Sequence, residues 1–192
     1  MACHTENPWL IALGANLARG ESPPEITLSD AVDALSRAEL RVLVRSRWYR
    51  SPCWPPGAGP DYVNGVVAVA DCRTRGPGAM LALLQMIEAR FGRDRVIRWG
   101  ARTLDLDLIA CGGLVLPDAA TQTRWRALPV AGQMRATPDR LILPHPRMQD
   151  RAFVLVPLLE VAPDWRHPLT GESAAEMLAA LPEAERAAVQ VL

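Results

Sequence analysis

Two aspartates set two residues apart carry the first chemical signal in this chain. In Arg98-Trp99-Gly100-Ala101-Arg102-Thr103-Leu104-Asp105-Leu106-Asp107-Leu108, polar and apolar residues alternate from Thr103 onward, the pattern of a half-buried strand. Successive strand side chains point to opposite faces, so Thr103, Asp105 and Asp107 share one face and Leu104, Leu106 and Leu108 the other. Carboxylates so related sit about 7 Å apart. A hard divalent cation relieves their repulsion by taking their oxygens as ligands; a solvated strand face is the ordinary alternative. Nearby arginines shift the balance. Arg90, Arg93, Arg95, Arg98 and Arg102 fall within thirteen residues around Gly92 and Gly100. Guanidinium forks match phosphate oxygens bidentately. An arginine-bearing loop, expected to be mobile, beside a two-carboxylate platform suits a phosphoanhydride. A surface ion-pair cluster with Glu88 and Asp94 competes with that interpretation.

Two further groups follow. His145 lies between Pro144 and Pro146, with Arg140, Arg147, Arg151 and Phe153 close in sequence. Prolines restrict its backbone, and with Arg140 and Arg151 it could complete a phosphate cradle, although a single histidine is more often structural. His4 and His167 lack metal-ligand spacing, which argues against zinc. Tyr62 and Asn64 share a strand face, offering one ring for stacking and one amide that both donates and accepts. On residue chemistry alone that pair is a weak ligand signal.

These groups need a scaffold. Trp9 to Leu13 reads as a short buried strand ending at Gly14, and Leu28 to Leu40 has helical apolar spacing. Arg41 to Ser51 and Tyr62 to Ala70 read as strands. Between them Pro52 to Pro60 holds four prolines and two glycines in nine residues, a loop composition. Met80, Leu84, Ile87 and Phe91 mark a helix stopped by Gly92, and Thr103 to Ala110 is the next strand. Ser173 and Glu176 form a capping box opening a last helix through Leu181. The stretch at about 117–138 lacks periodicity and reads as an insertion or long loop, either functional or disordered. It is expected to be peripheral to the core, with Trp125 the contrary hint, since an exposed tryptophan often marks a contact. The order β-α-β-β-α-β matches the split plan of ferredoxin-like folds. The expected fold is therefore α+β: an antiparallel sheet with helices packed on it, an αβα sandwich, in one domain over residues 1–192.

Composition sets outer limits. Lysines and arginines total 21, all of them arginine, and formal net charge is zero. The lack of lysine excludes a phosphate-loop, Schiff-base or pyridoxal-phosphate lysine. Gly14 to Ser22 (GANLARGES) is rejected as a phosphate loop, since its glycine spacing is long and Glu21 stands where lysine is required. Zero net charge opposes broad attraction to nucleic acid or anionic lipid. No run of residues approaches a membrane span. The four cysteines lie far apart and suggest reduced thiols of a cytoplasmic protein.

Together the segments Ala12-Leu13-Gly14-Ala15-Asn16-Leu17, Trp48-Tyr49-Arg50-Ser51-Pro52, Asp61-Tyr62-Val63-Asn64, Ile87-Glu88 with Gly92-Arg93, RWGARTLDLDLI and LPHPRM…RAFVL.PLLEVAPDW follow one another in a recognisable order. The chain resembles the 6-hydroxymethyl-7,8-dihydropterin pyrophosphokinases of folate synthesis over nearly its whole length. That resemblance implies a ferredoxin-like core and attack of the pterin hydroxymethyl oxygen on the β-phosphorus of ATP, releasing AMP. It implies that Asp105 and Asp107 bind two magnesium ions, and that Arg93, Arg95 and Arg102 neutralise phosphate charge. Glu88, Trp99, Arg140, His145 and Arg151 are implied on the ATP side. Tyr62 and Phe153 are implied to sandwich the pterin, with Asn16, Ser51, Pro52, Trp54 and Asn64 around its polar edge. A cytoplasmic monomer is expected, with small-molecule substrates and no nucleic-acid or membrane partner. Ala15 stands where the family usually has serine, and Ala101 where it usually has proline. The 117–138 stretch exceeds the usual connection by roughly 20 residues. A kinase transferring only the γ-phosphoryl group and a non-catalytic ferredoxin-like binding module remain the competing functions.

Overall fold

The computed structural model describes residues 7–53, 57, 59–92, 102–129, 132 and 135–192. Their centre is a run of β-branched and small apolar residues, Tyr62–Asp71 (β4), in which every residue after Tyr62 is buried. Burial on both faces explains why the strand reads as a continuous apolar run. β1 (Trp9–Ala15) pairs antiparallel with β4 on one side and with β5 (Asp105–Cys111) on the other. β2 (Leu40–Arg45) and β3 (Tyr49–Ser51) share the opposite edge of β4, and β6 (Gln190–Val191) extends β3. All pairings in this six-stranded sheet are antiparallel.

Helices cover both faces. α1 (Pro24–Arg37) begins with proline and Glu25 and ends with Arg37, an arrangement that suits the helix dipole. Its Leu28, Ala31 and Leu35, with Met80, Leu84 and Ile87 of α2 (Pro77–Arg90), pack on Ile11, Leu13, Val67, Leu106 and Leu108. A short α3 (Ala119–Arg126) follows β5. The second face of the sheet, with Leu10, Ala12, Val66 and Ala68, is covered by α4 (Ala152–Val161) and α5 (Ala174–Ala180). α6 (Glu183–Ala187) leads into β6. This is the αβα sandwich expected from the sequence.

Several details depart from the expectations. The strand expected over Arg41 to Ser51 breaks at residues 46–48. Buried Ser46 accepts the Val66 amide at 3.0 Å and donates to the Arg47 carbonyl at 2.7 Å. Trp48 folds over Gly65, where a Cβ would lie within 2.4 Å of the indole. α4 was not anticipated: its sequence is apolar all round and carries Pro157 inside the helix, which conceals the 3.6-residue period. Glu160 holds α4 to the β2–β3 connection, accepting from Arg47 N at 2.8 Å and Tyr49 Oη at 2.7 Å. The supposed loop at about 117–138 contains α3, capped by Asp118, whose carboxylate accepts the Thr121 amide at 2.8 Å. Its Gln122 is fully buried, so this helix is tied into the protein and is not peripheral. Cys53 and Cys111 lie outside any disulfide, but Cys72 is disulfide-bonded, which corrects the expectation of four reduced cysteines. Among the described residues no helix is long and apolar enough to cross a membrane.

Candidate active site

Strand register builds the site. Gly14 pairs with Asp105 on one side and Asn64 on the other, while Ala12 pairs with Asp107 and Val66. Residues directly opposite in a sheet project to the same face. Asp105, Gly14 and Asn64 therefore form one row across three strands, with Asp107 in the next. Gly14 leaves the middle of that row open: a Cβ there would stand 3.5 Å from Asn64 Oδ1 and 4.0 Å from Tyr62 Cδ1. Over this floor lies a cavity of about 410 Å³, walled by Ser51, Pro52, Tyr62, Asn64 and Phe153. Asn64 Nδ2 donates to Ser51 Oγ at 2.9 Å, which fixes the amide and directs its oxygen toward the space above Gly14.

The carboxylates occupy the other end of the cavity, each with an arginine. Arg102 donates to Asp105, and Arg151, the residue that caps α4, donates to Asp107 Oδ2 at 3.1 Å. Burial raises the Asp107 pKa, but attraction to His145, Arg151 and Arg102 outweighs it, and the carboxyl titrates below its ordinary range. Burial lowers the His145 pKa to about 4, reinforced by Arg151 and Arg147 and opposed by Asp107. At neutral pH the pair is an ionised aspartate and a neutral imidazole. The Arg147 amide donates to His145 Nδ1 at 3.2 Å, so the ring carries its proton on Nε2. The His145 amide donates to the Ile109 carbonyl at 2.7 Å, which holds the Pro144–Pro146 turn against β5.

A second cavity, about 480 Å³, continues from this point. It shares Asp107, Thr137, His145, Arg147 and Arg151 with the first. Leu81, Leu106, Trp125, Leu141 and Ile142 line this second cavity alone, as does Arg140, which pairs with Asp139 3.1 Å away. Two pockets thus meet at one acidic and basic junction. One is floored by a glycine and flanked by two aromatic rings, and the other mixes Leu81, Leu141, Ile142 and Trp125 with charged residues.

The remaining expected site residues divide clearly. Asn16 is buried and lines neither cavity. Its Oδ1 accepts the Arg102 amide at 2.7 Å and its Nδ2 donates to the Pro60 carbonyl at 3.2 Å. The Asn16 and Leu17 amides also donate to the Arg102 carbonyl at 3.0 and 3.1 Å. Asn16 therefore places Arg102 and the proline-rich loop. Glu88 is 2% exposed and also lines neither cavity; its Oε1 accepts the Leu106 amide at 2.7 Å, between the two aspartates. Arg93, Arg95, Trp99 and Trp54 lie outside the described residues. Arg147 and Thr137 line both cavities and Trp125 the second, without having been expected at the site. Arg147 stood in the LPHPRM segment already singled out, whereas Trp125 carried no signal beyond being a tryptophan in a polar stretch.

A family model described as 7,8-dihydro-6-hydroxymethylpterin-pyrophosphokinase (HPPK) matches residues 10–163. This chain belongs to the HPPK family. The matched span contains every residue lining the two cavities. The HPPK chain is 40% identical over 173 residues to a 2-amino-4-hydroxy-6-hydroxymethyldihydropteridine pyrophosphokinase of Pseudomonas aeruginosa, covering 90% of each chain. It is 38% identical over 170 residues to the Synechocystis protein of that name, covering 88% of this chain and 73% of the relative. Among solved structures, an HPPK-DHPS in complex with substrates has a TM-score of 0.61 at 12% identity. A Plasmodium falciparum HPPK-DHPS triple mutant gives 0.62 at 13%. These matches cover 91% and 90% of this HPPK, which spans only 43% and 44% of those chains. At such identity they establish the shared fold.

Proposed function

We propose that this chain, as one catalytic domain, transfers the diphosphoryl group of ATP to the hydroxymethyl group of 6-hydroxymethyl-7,8-dihydropterin in folate synthesis. The observation that carries this is the meeting of two pockets at Asp107, His145, Arg147 and Arg151, with Asp105 beside them in the ring-flanked pocket. The ring-flanked pocket suits a flat pterin between Tyr62 and Phe153, with Asn64 and Ser51 at its polar edge. The larger cleft suits ATP, its phosphates at the junction. The acceptor oxygen bonds to the β-phosphorus, the bond from that phosphorus to the α-phosphate oxygen breaks, AMP departs, and the hydroxyl proton is released.

The carboxylates fit magnesium. Asp105 and Asp107 share a face, offer only hard oxygen donors, and Asp107, half-buried beside Arg151, stays ionised. No group of three or more His, Cys, Asp or Glu gathers among the described residues, so substrate oxygens and water would complete the coordination of two ions. Bound there, magnesium supplies charge neutralisation and acidifies the attacking hydroxyl. Arg102 and Arg151, already seated on the aspartates, turn their guanidinium forks to the phosphates. His145, neutral with Nε2 protonated, donates a hydrogen bond without competing for the metal's charge. Positioning and charge stabilisation carry such transfers, and the chain needs no separate general base. Arg93, Arg95 and Trp99 are assigned to the phosphate side on family resemblance alone. The reaction is placed in the cytoplasm, and the protein is proposed to act as a monomer.

The decisive experiment is chromatography of the nucleotide products after incubation with ATP, magnesium and 6-hydroxymethyl-7,8-dihydropterin. Stoichiometric, pterin-dependent AMP is expected. ADP would instead establish γ-phosphoryl transfer, and no pterin-dependent turnover would establish a binding module.

A further inference from the structure

The larger cleft is lined in part by α3, a helix within the 117–138 stretch. α3 is fixed to the His145 segment at two points. Leu116, shortly before the helix, exchanges backbone hydrogen bonds of 2.9 and 3.2 Å with Leu143. Gln122, fully buried, donates from Nε2 to the Pro144 carbonyl at 3.2 Å. Three residues further along the same helix face comes Trp125, half-buried and lining the cleft with Leu81, Leu141 and Arg140. The mean character of α3 is polar, AATQTRWR, so the indole is not needed to give the helix a core-facing stripe. It borders open space instead. Asp107, His145, Arg147 and Arg151, which the cleft shares with the ring-flanked cavity, suit phosphates. An extended nucleotide with its phosphates on them carries its base into the part of the cleft not shared with that cavity, where Trp125 is a lining residue.

We propose that Trp125 is a base-stacking residue for the nucleotide, supplied by the 117–138 stretch and held in place by Gln122. This rests on the function proposed above and extends it to what this chain adds. An indole face against a planar heteroaromatic base is a favourable and sequence-tolerant contact. Nucleotide affinity should therefore depend on the base through this one side chain, while recognition of the phosphates should not.

The test separates base from phosphate. Wild-type protein, Trp125→Ala, Trp125→Leu and Trp125→Phe are titrated calorimetrically with magnesium-ATP and with magnesium-tripolyphosphate, which has phosphates and no base. ATP affinity should fall about tenfold in the alanine and leucine variants and recover to within roughly twofold in the phenylalanine variant. Tripolyphosphate affinity should be unchanged throughout, as should KM for the pterin. The leucine variant keeps apolar bulk against the helix and serves if the alanine variant does not fold. Equal losses for ATP and tripolyphosphate, or no loss for either, would overturn the stacking role while leaving the proposed reaction intact. Failure of wild-type protein to bind ATP would overturn both.

Discussion

Glu88 offers a sharp test of what the structure adds, because family resemblance sends it to ATP and the structure sends it to a backbone amide. β5 is an edge strand of the sheet, next to β1 alone among the described residues, and the Leu106 amide points away from the ladder. Glu88 Oε1 accepts that amide at 2.7 Å from the last turn of α2, where the helix dipole disfavours an anion. Replacing it with alanine removes a charge-assisted hydrogen bond worth about 1.5–3 kcal/mol and leaves a buried donor unmatched. Relief of the dipole returns a few tenths of that. A net loss of about 2–3 kcal/mol is expected, which lowers Tm by roughly 4–12 °C in a protein of this size. Glu88→Gln keeps an acceptor oxygen and should lose about half as much. Thermal unfolding followed by circular dichroism gives the stability, and initial rates give KM for ATP. In Glu88→Gln, KM for ATP should stay within about twofold of wild type, since the residue lines neither cavity. A variant with unaltered Tm and a tenfold higher KM for ATP would refute the strand-fixing role and restore direct nucleotide contact.

Other outcomes follow from the same geometry. Asp107→Asn should lower kcat by about a thousandfold or more while the protein still melts cooperatively, as removal of a transition-state charge partner predicts; near-normal magnesium-dependent turnover would refute its role as a metal ligand. His145 titrates at about 4 when folded and at about 6.5 when unfolded. Because the folded value is depressed, its contribution is fully present above pH 6.5 and is lost as pH falls toward 4. Between pH 7 and 5 wild type should lose on the order of 2 kcal/mol more folding stability than His145→Gln, read from urea midpoints at both pH values; parallel curves would exclude a neutral imidazole. Gly14→Ala should fold and bind both substrates, since the added Cβ meets Asn64 only at 3.5 Å. Gly14→Val should fill the cavity floor and weaken pterin binding by about tenfold or more without altering ATP affinity, and equal effects on both would place the pterin elsewhere.

The parts of this protein that were legible in sequence are those where one residue's neighbours along the chain decide its role. Alternation in TLDLDL placed Asp105 and Asp107 on one face, and the same period put Tyr62 beside Asn64. Parts decided by distant residues were not. Nothing near Asn16 indicates that its amide will be consumed by Arg102 and Pro60, and nothing near Glu88 announces an edge-strand amide. α4 lacked an amphipathic signature because its environment is apolar on most sides, and Pro157 imitates a helix stop. The break between β2 and β3 depends on Trp48 finding the one residue opposite it, Gly65, that leaves room for a ring. α3 was passed over because its seven polar and small residues carry no stripe, whereas a single buried glutamine supplies its anchorage.

The row Asp105–Gly14–Asn64 has a consequence for folding fidelity. A one-residue slip of β1 against either neighbour turns every side chain of the strand to the other face. Leu13 would then occupy the floor in place of Gly14, and a leucine would project between the carboxylates and the amide. Molecules with misaligned strands would retain much of their secondary structure and still have no pocket. Pterin-dependent turnover is therefore a count of correctly aligned chains, and it should return during refolding only after β1 has locked between β4 and β5.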